Sequence, residues 1–296
     1  MKILRFFFII LFVFLAKIIP LFAQIIEPCT KSGSLMVVEE KSNHIIFETN
    51  PHQIIYPASL VKMMTAYLTF EAIKNNKIQE DEDIIFSPRA QEVSNFNKNN
   101  TLRIKNDDRI EVLSAVKGLI IKSYNETAIA LAEKIAGDEW QFVRLMNKKA
   151  LDLGMINTAF KNASGWHDEG QYSTASDLIK LAMHLKKDFP EYFYLFSLKD
   201  FNYQKISTKS HNRFLHSYEG AEGMKTGYTS QAGYNLVAVA NKNNTRLFSV
   251  VTGCKSSNQR DELTKFILDL SFLENDENNN FYFKKISLKN NKIISK

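Results

Sequence analysis

The chain has 296 residues, 45% of them hydrophobic, which is enough for one large domain or two modest ones. Its formal charge of +6 is mild and gathers at the ends, in Lys2, Arg5 and Lys17 and in five lysines from Lys284 to Lys296. The region between is close to balanced, so no basic face is on offer to nucleic acid, and that class of partner is set aside.

Residues 1–23 read as an export signal: Lys2 and Arg5, an unbroken apolar run from Phe6 to Ala16, then Lys17 and a second apolar patch ending at Ala23. The first run is too short to span a bilayer and has signal-peptide length. Cleavage is expected after Ala23. An uncleaved anchor is the alternative, because Lys17 interrupts the run and Leu21 suits its position before the cut poorly. Cys29 follows Pro28 rather than a small residue, which argues against a lipid-modified cysteine. Two cysteines, Cys29 and Cys254, make no disulfide framework and have no metal-ligand spacing with the six scattered histidines, so no metal or other cofactor is expected. Whether the two cysteines pair is left open.

From Ser34 to Glu48, two β-rich runs flank a polar turn at Glu40 to Asn43, a hairpin pattern. The stretch Tyr56 to Ile73, YPASLVKMMTAYLTFEAI, then runs apolar almost all the way round, which predicts a buried helix. Its first turn holds Ser59 and Lys62, three residues apart and on one face. A buried lysine tends to lose its proton, and a neutral amine beside a hydroxyl activates that hydroxyl as a nucleophile. The helix N-terminus favours an oxyanion there. The same spacing recurs at Ser114 and Lys117, but mid-helix, where it reads as an ordinary surface pair.

Residues 74–110 are polar and turn-rich, with β-like patches at Ile84 to Phe86 and Leu102 to Ile104, and are expected to be a loop-rich excursion without chemistry. Helices are predicted over Ile110 to Ile121 and Glu126 to Ala136, with Ser123 and Asn125 on the short loop between them. Another helix is predicted over Trp140 to Leu153. Thr174 or Ser176 is expected to cap a helix from Asp177 to Leu185. Further β-like patches lie at Phe201 to Tyr203 and Arg213 to Leu215. Leu236 to Ala240 and Arg246 to Thr252 read as a hairpin around Asn241 to Asn244. Lys225 and Thr226 stand upstream of it, beside Gly227, which lets a ligand approach the backbone. A last helix is expected over Gln259 to Phe272, followed by a polar, basic tail.

The motifs Ser59-x-x-Lys62, Ser123-x-Asn125 and Lys225-Thr226-Gly227 occur in the order and contexts of the penicillin-recognising serine enzymes. The segments PASLVKMMTAY, SYNETAIALAE, FVRLMNKKALDLGMINTAFKNASGW and EGMKTGYTSQAGYNLVAVA resemble the serine-type D-Ala-D-Ala carboxypeptidases, the low-molecular-mass penicillin-binding proteins, over roughly residues 30–272. The resemblance implies an α+β, β-lactamase/transpeptidase-like fold: an antiparallel sheet against helices, with a helical subdomain carrying Ser123. It implies a catalytic domain over 24–272 and a tail over 273–296. Ser59 would be the acylated nucleophile and Lys62 its base. Ser123 would relay the proton and Asn125 would hold the peptide carbonyl. Lys225 and Thr226, with Arg260, would bind the terminal carboxylate, and the N–H groups of Ser59 and Tyr228 would form the oxyanion hole.

The implied partners are peptidoglycan stem peptides and, as covalent inhibitors, β-lactams, in the periplasm or on the outer face of the cytoplasmic membrane. Tyr124 stands where the carboxypeptidases usually have glycine, which puts substrate preference in doubt. The family's second β domain and C-terminal amphipathic anchor are not expected, and the basic tail reads as a run of solvated lysines, with a weak contact with anionic lipid as the alternative. Three other readings share the cleft: a DD-endopeptidase on cross-links, a β-lactamase with Glu169 as the water-activating carboxylate, and a silent wall-binding protein.

Overall fold

The computed structural model describes residues 29–30, 32–96, 100–105 and 107–274, and the backbone of two short strands beyond them. The export signal expected over 1–23 lies outside the described residues, as does most of the basic tail.

In chain order the structure opens with a hairpin, β1 (Leu35–Glu39) and β2 (Ile45–Thr49). A 3₁₀ turn, Ala58–Val61, then feeds helix α1 (Lys62–Lys74). The excursion that follows holds β3 (Asp83–Ile85), α2 (Pro88–Phe96) and β4 (Arg109–Glu111). Next come α3 (Val112–Lys117), a π-helical turn (Gly118–Lys122), α4 (Asn125–Ala136), α5 (Glu139–Asp152) and α6 (Ala175–Asp188). A second small hairpin, β5 (Asp200–Tyr203) and β6 (Ile206–Lys209), and the short α7 (Phe214–Ser217) lead into β7 (Ala221–Thr229), β8 (Gly233–Lys242) and β9 (Thr245–Cys254). Helix α8 (Ser257–Glu274) follows, and β10 (Leu288–Lys289) pairs with β11 (Lys292–Ile293). Among the described residues no helix is long and apolar enough to cross a membrane.

The central sheet is antiparallel in the order β2-β1-β9-β8-β7, which leaves β7 on an edge. It is covered on both faces, which is why its strands read as continuous apolar runs rather than alternating ones. Leu35, Val37, Leu236, Ala238, Leu247 and Val251 share one core with Leu263, Ile267 and Leu268 of α8. The intervening residues Met36, Val38, Val237, Val239, Phe248 and Val250 belong to the larger core built round α1. Helix α1 is buried at eleven positions, from Lys62 to Ile73, with Glu71 the exception in that run. Packed among sheet and helices, it has no solvent side to make polar.

Three expectations are corrected. The excursion contains α2, whose buried residues are only Ala90 and Ser94, so it carries too little apolar periodicity to be read as a helix. Leu102 and Ile104 are buried but lie in no strand. The patch at Arg213 to Leu215 is the start of α7, with Phe214 and Leu215 turned into the core. Thr174, not Ser176, caps α6, its hydroxyl accepting from the Asp177 N–H at 3.1 Å.

Candidate active site

Two strained turns and one strand edge meet at a cleft of about 560 Å³. Ala58, at φ 50°, turns the chain so that Ser59 sits partly exposed at the start of the buried helix. Gly165, at φ 80°, presses against this turn: a Cβ there would lie 2.1 Å from the Ala58 carbonyl oxygen. Only glycine fits both the left-handed backbone and the contact. On the opposite wall the π-helical turn ends at Ser123 in the left-handed region, φ 60°. Such turns re-aim side chains at functional sites, and the unusual backbone is held by the helices on either side. The third wall is the free edge of β7, where Gly227 brings the strand against the turn; a Cβ there would be 2.8 Å from the Pro57 carbonyl oxygen and 3.2 Å from the Ser59 nitrogen.

Ser59, Ser123, Asn125, Thr226, Gly227, Tyr228 and Arg260 all line this cleft. Lys62 and Lys225 lie just behind the lining, 1% and 2% exposed. The Lys62 Nζ stands 3.2 Å from Ser59 Oγ and 2.7 Å from Asn125 Oδ1, and it also donates to the Ser164 carbonyl. The last two partners can only accept, whereas the hydroxyl can also donate. A neutral amine therefore places its two hydrogens on Asn125 and Ser164 and turns its lone pair to the Ser59 hydroxyl.

Electrostatics favours that neutral form. Burial holds Lys62 well below the ordinary lysine range, the Lys225 cation lowers it further, and the Glu126 carboxylate opposes them. Lys225 is itself pushed down to about 7 by burial and by Arg260, and its Nζ donates to the Thr226 carbonyl at 3.0 Å. Glu126 is raised by its own burial, against the Leu102 N–H and Thr101 hydroxyl that its Oε1 accepts at 2.6 and 2.8 Å. Those bonds pin residues 101–102 beside the site, and Asn100 reaches the cleft wall while donating to the Lys122 carbonyl. The stretch read as a chemically idle excursion thus supplies part of the wall. Ser123 Oγ is buried and takes no hydrogen bond among the described residues.

Among the lining residues Arg213, His211 and Tyr234 carried no sequence signal. Arg213 and Arg260 are forked onto one buried carboxylate, Asp261: Arg213 Nη2 at 3.1 Å from Oδ2, and Arg260 Nε at 2.8 Å from Oδ1. Two guanidiniums sharing one carboxylate leave a net positive end to the cleft. His211, also on the wall, stands 2.9 Å from Lys122 Nζ. Partial desolvation and the cations Lys122 and Lys225 push it down to about 4, so it is a neutral acceptor for Lys122. The Tyr228 ring stacks on Tyr234 at 4.2 Å. Glu169 is exposed and does not line the cleft, and no carboxylate among the described residues does. Nor do the described residues hold a His, Cys, Asp and Glu cluster fit for a metal ion. Cys29 and Cys254 are joined in a disulfide that ties the start of the described chain to the end of β9.

The family model for D-alanyl-D-alanine carboxypeptidase matches residues 23–256. The chain is 36% identical over 247 residues to the D-alanyl-D-alanine carboxypeptidase DacA of Haemophilus influenzae, an overlap of 83% of this chain and 63% of that protein. It is 35% identical over 248 residues to the Escherichia coli carboxypeptidase DacC, covering 62% of it, so the chain spans less than two thirds of the length of these curated relatives. Among solved structures it superposes on penicillin binding protein 5 of H. influenzae with a TM-score of 0.77 at 36% identity, over 81% of this chain and 70% of that one. With the antiparallel sheet between helices and a matching family model over most of its length, the chain belongs to the D-alanyl-D-alanine carboxypeptidase family.

Proposed function

We propose that the protein is an exported serine D-Ala-D-Ala carboxypeptidase that removes the terminal D-alanine from peptidoglycan stem pentapeptides through an acyl-enzyme on Ser59, and that β-lactams acylate the same hydroxyl. The observation that carries this reading is the coordination of Lys62: an amine with two fixed acceptors and a serine hydroxyl 3.2 Å away. Ser59 Oγ attacks the penultimate carbonyl as its proton passes to the Lys62 lone pair. The developing oxyanion is received by the N–H groups of Ser59 and Tyr228, where Gly227 keeps strand and turn in contact. Ser123 then passes the proton to the departing D-alanine amine, and water hydrolyses the ester. Asn125, its carbonyl oxygen committed to Lys62, is left with its amide hydrogens to grip the peptide carbonyl. Thr226, Arg260 and the Lys225 charge behind them receive the terminal carboxylate.

The likeness to penicillin-binding protein D2 of Listeria monocytogenes, solved in an ampicillin-bound form and 28% identical to this chain, supports the β-lactam part of the reading. Among the described residues no carboxylate lines the cleft to activate water, which supports slow deacylation. The disulfide supports an oxidising compartment outside the cytoplasm. The test is the intact mass of the protein during incubation with benzylpenicillin, alongside Ser59→Ala. A single long-lived adduct, absent in the variant, is expected; labelling that survives the substitution overturns the reading. Digestion of cross-linked muropeptides separates carboxypeptidase from endopeptidase, since only the latter converts dimers to monomers.

A further inference from the structure

Helix α5 turns one apolar face into the core and leaves a mixed apolar and cationic face in solvent. Phe142, Met146 and Ala150 are buried. On the opposite side Trp140, Arg144, Lys148 and Leu151 stand at i, i+4, i+8 and i+11, within about a quarter of the helix circumference and over about 16 Å of its length. Trp140 and Leu151 are 65% and 66% exposed. Large apolar side chains gathered on one exposed stripe are uncommon on a monomer surface and mark a contact.

The charges on the stripe say what kind of contact. The Arg144 guanidinium lies 5.1 Å from the centre of the Trp140 ring. Neither Arg144 nor Lys148 joins an ion pair among the described residues, whereas Lys149, turned off this face, pairs with Glu71 at 2.6 Å. None of the acidic groups nearby pairs with either cation: Asp138 caps the helix, Glu139 accepts from the Ala163 N–H, and Asp152 lies 4.0 Å from Lys149.

We propose that this outer face of α5 docks on the anionic surface of a lipid bilayer, lying in the plane of the headgroups. Burying two unpaired cations in a dry protein interface is costly. At a headgroup layer they stay hydrated against phosphate while their stems and the Trp140 and Leu151 side chains enter the acyl boundary. Indole rings favour that depth. The inference is independent of the reaction in the cleft.

The chain has two tryptophans, Trp140 and Trp166, so Trp166→Phe leaves Trp140 as the sole reporter. The full chain carrying that substitution is titrated with vesicles of phosphatidylcholine, alone or mixed equally with phosphatidylglycerol. A blue shift of Trp140 emission is expected with the anionic vesicles only, reversed by salt. Neutralising Arg144 and Lys148 to glutamine lowers partitioning about fivefold for each charge. The melting temperature and the rate of penicillin acylation of that double variant, made with Trp166 intact, stay as in the unaltered chain, which separates lost docking from lost folding or a failed reading of the cleft. Trp140 emission that does not move on anionic vesicles, equal partitioning of the double variant, or a shift that grows with protein concentration in the absence of lipid overturns the proposal.

Discussion

Gly227→Ala isolates the contact between the β7 edge and the nucleophile turn. The added Cβ would sit 2.8 Å from the Pro57 carbonyl oxygen, about half an ångström inside ordinary contact, and 3.2 Å from the Ser59 nitrogen. Both neighbours are backbone, and the turn is locked by the buried Leu60 and Val61 behind it, so turn and strand must separate by about that half ångström. A reacting group displaced by up to an ångström loses about a hundredfold in rate, roughly 2.7 kcal/mol of transition-state stabilisation. We therefore expect acylation by benzylpenicillin, followed by intact mass, to slow by 10- to 100-fold, with about 1–3 kcal/mol of overpacking in the melting transition. Gly137→Ala serves as the control. Gly137, unlike Gly227, has a left-handed backbone, φ 86°, and nothing lies within 4 Å of a Cβ there, so its substitution should cost about 1–2 kcal/mol of stability and no acylation rate. Gly227→Ala acylating within threefold of the unaltered chain would refute the claim that this contact sets the oxyanion geometry.

The remaining expectations concern charge and covalent ties. Lys225→Met removes the cation that lowers Lys62, so the acid limb of the acylation pH profile should move to higher pH, whereas Glu126→Gln removes the opposing carboxylate and should move it lower; stopped-flow acylation across pH reads both. Asn125→Asp sets an ionisable carboxylate where the Lys62 amine now meets an amide oxygen, so the same limb should rise and acylation at neutral pH should slow by at least tenfold; an unchanged profile would break the link between Asn125 and the base. Reduction of Cys29–Cys254, which closes a separation of 225 residues, should cost about 2–5 kcal/mol in a denaturant titration; equal midpoints with and without reductant would show the tie to be idle.

Much of the frame was legible because it is written in local pattern. Helix α1 is apolar on every side, and β8 and β9 are unbroken apolar runs, so each announced itself as buried. The three motifs also announced where hydroxyls, amines and an amide would stand along the chain. What stayed hidden depends on partners far away in sequence or on backbone atoms, which carry no side-chain signature. Lys62 is oriented by the carbonyl of Ser164, 102 residues on. Arg213 joins the cleft through Asp261, 48 residues away. The lack of a side chain at Gly165 is required by Ala58, far away in sequence, rather than by its own neighbours. Helix α2 buries so few apolar residues that its pattern could not be told from a polar loop.

The two buried lysines are better understood as a cost accepted for chemistry than as part of what holds the fold. Each has a folded pKa below the value of about 10.4 that it has in the unfolded chain. Between those values the unfolded chain binds a proton that the folded chain does not, so stability rises with pH. For Lys225 that window runs from about 7 upward to the unfolded value. Below it the penalty is present in full, and above about 10.4 it is gone. At neutral pH the fold therefore carries several kcal/mol of penalty from these two side chains, which apolar residues of similar length would relieve. A structural role gives no reason to keep them. The reason lies in the placement of Lys62: two acceptors occupy the hydrogens of a neutral amine, its third direction meets the Ser59 hydroxyl, and burial, reinforced by Lys225, keeps the amine neutral.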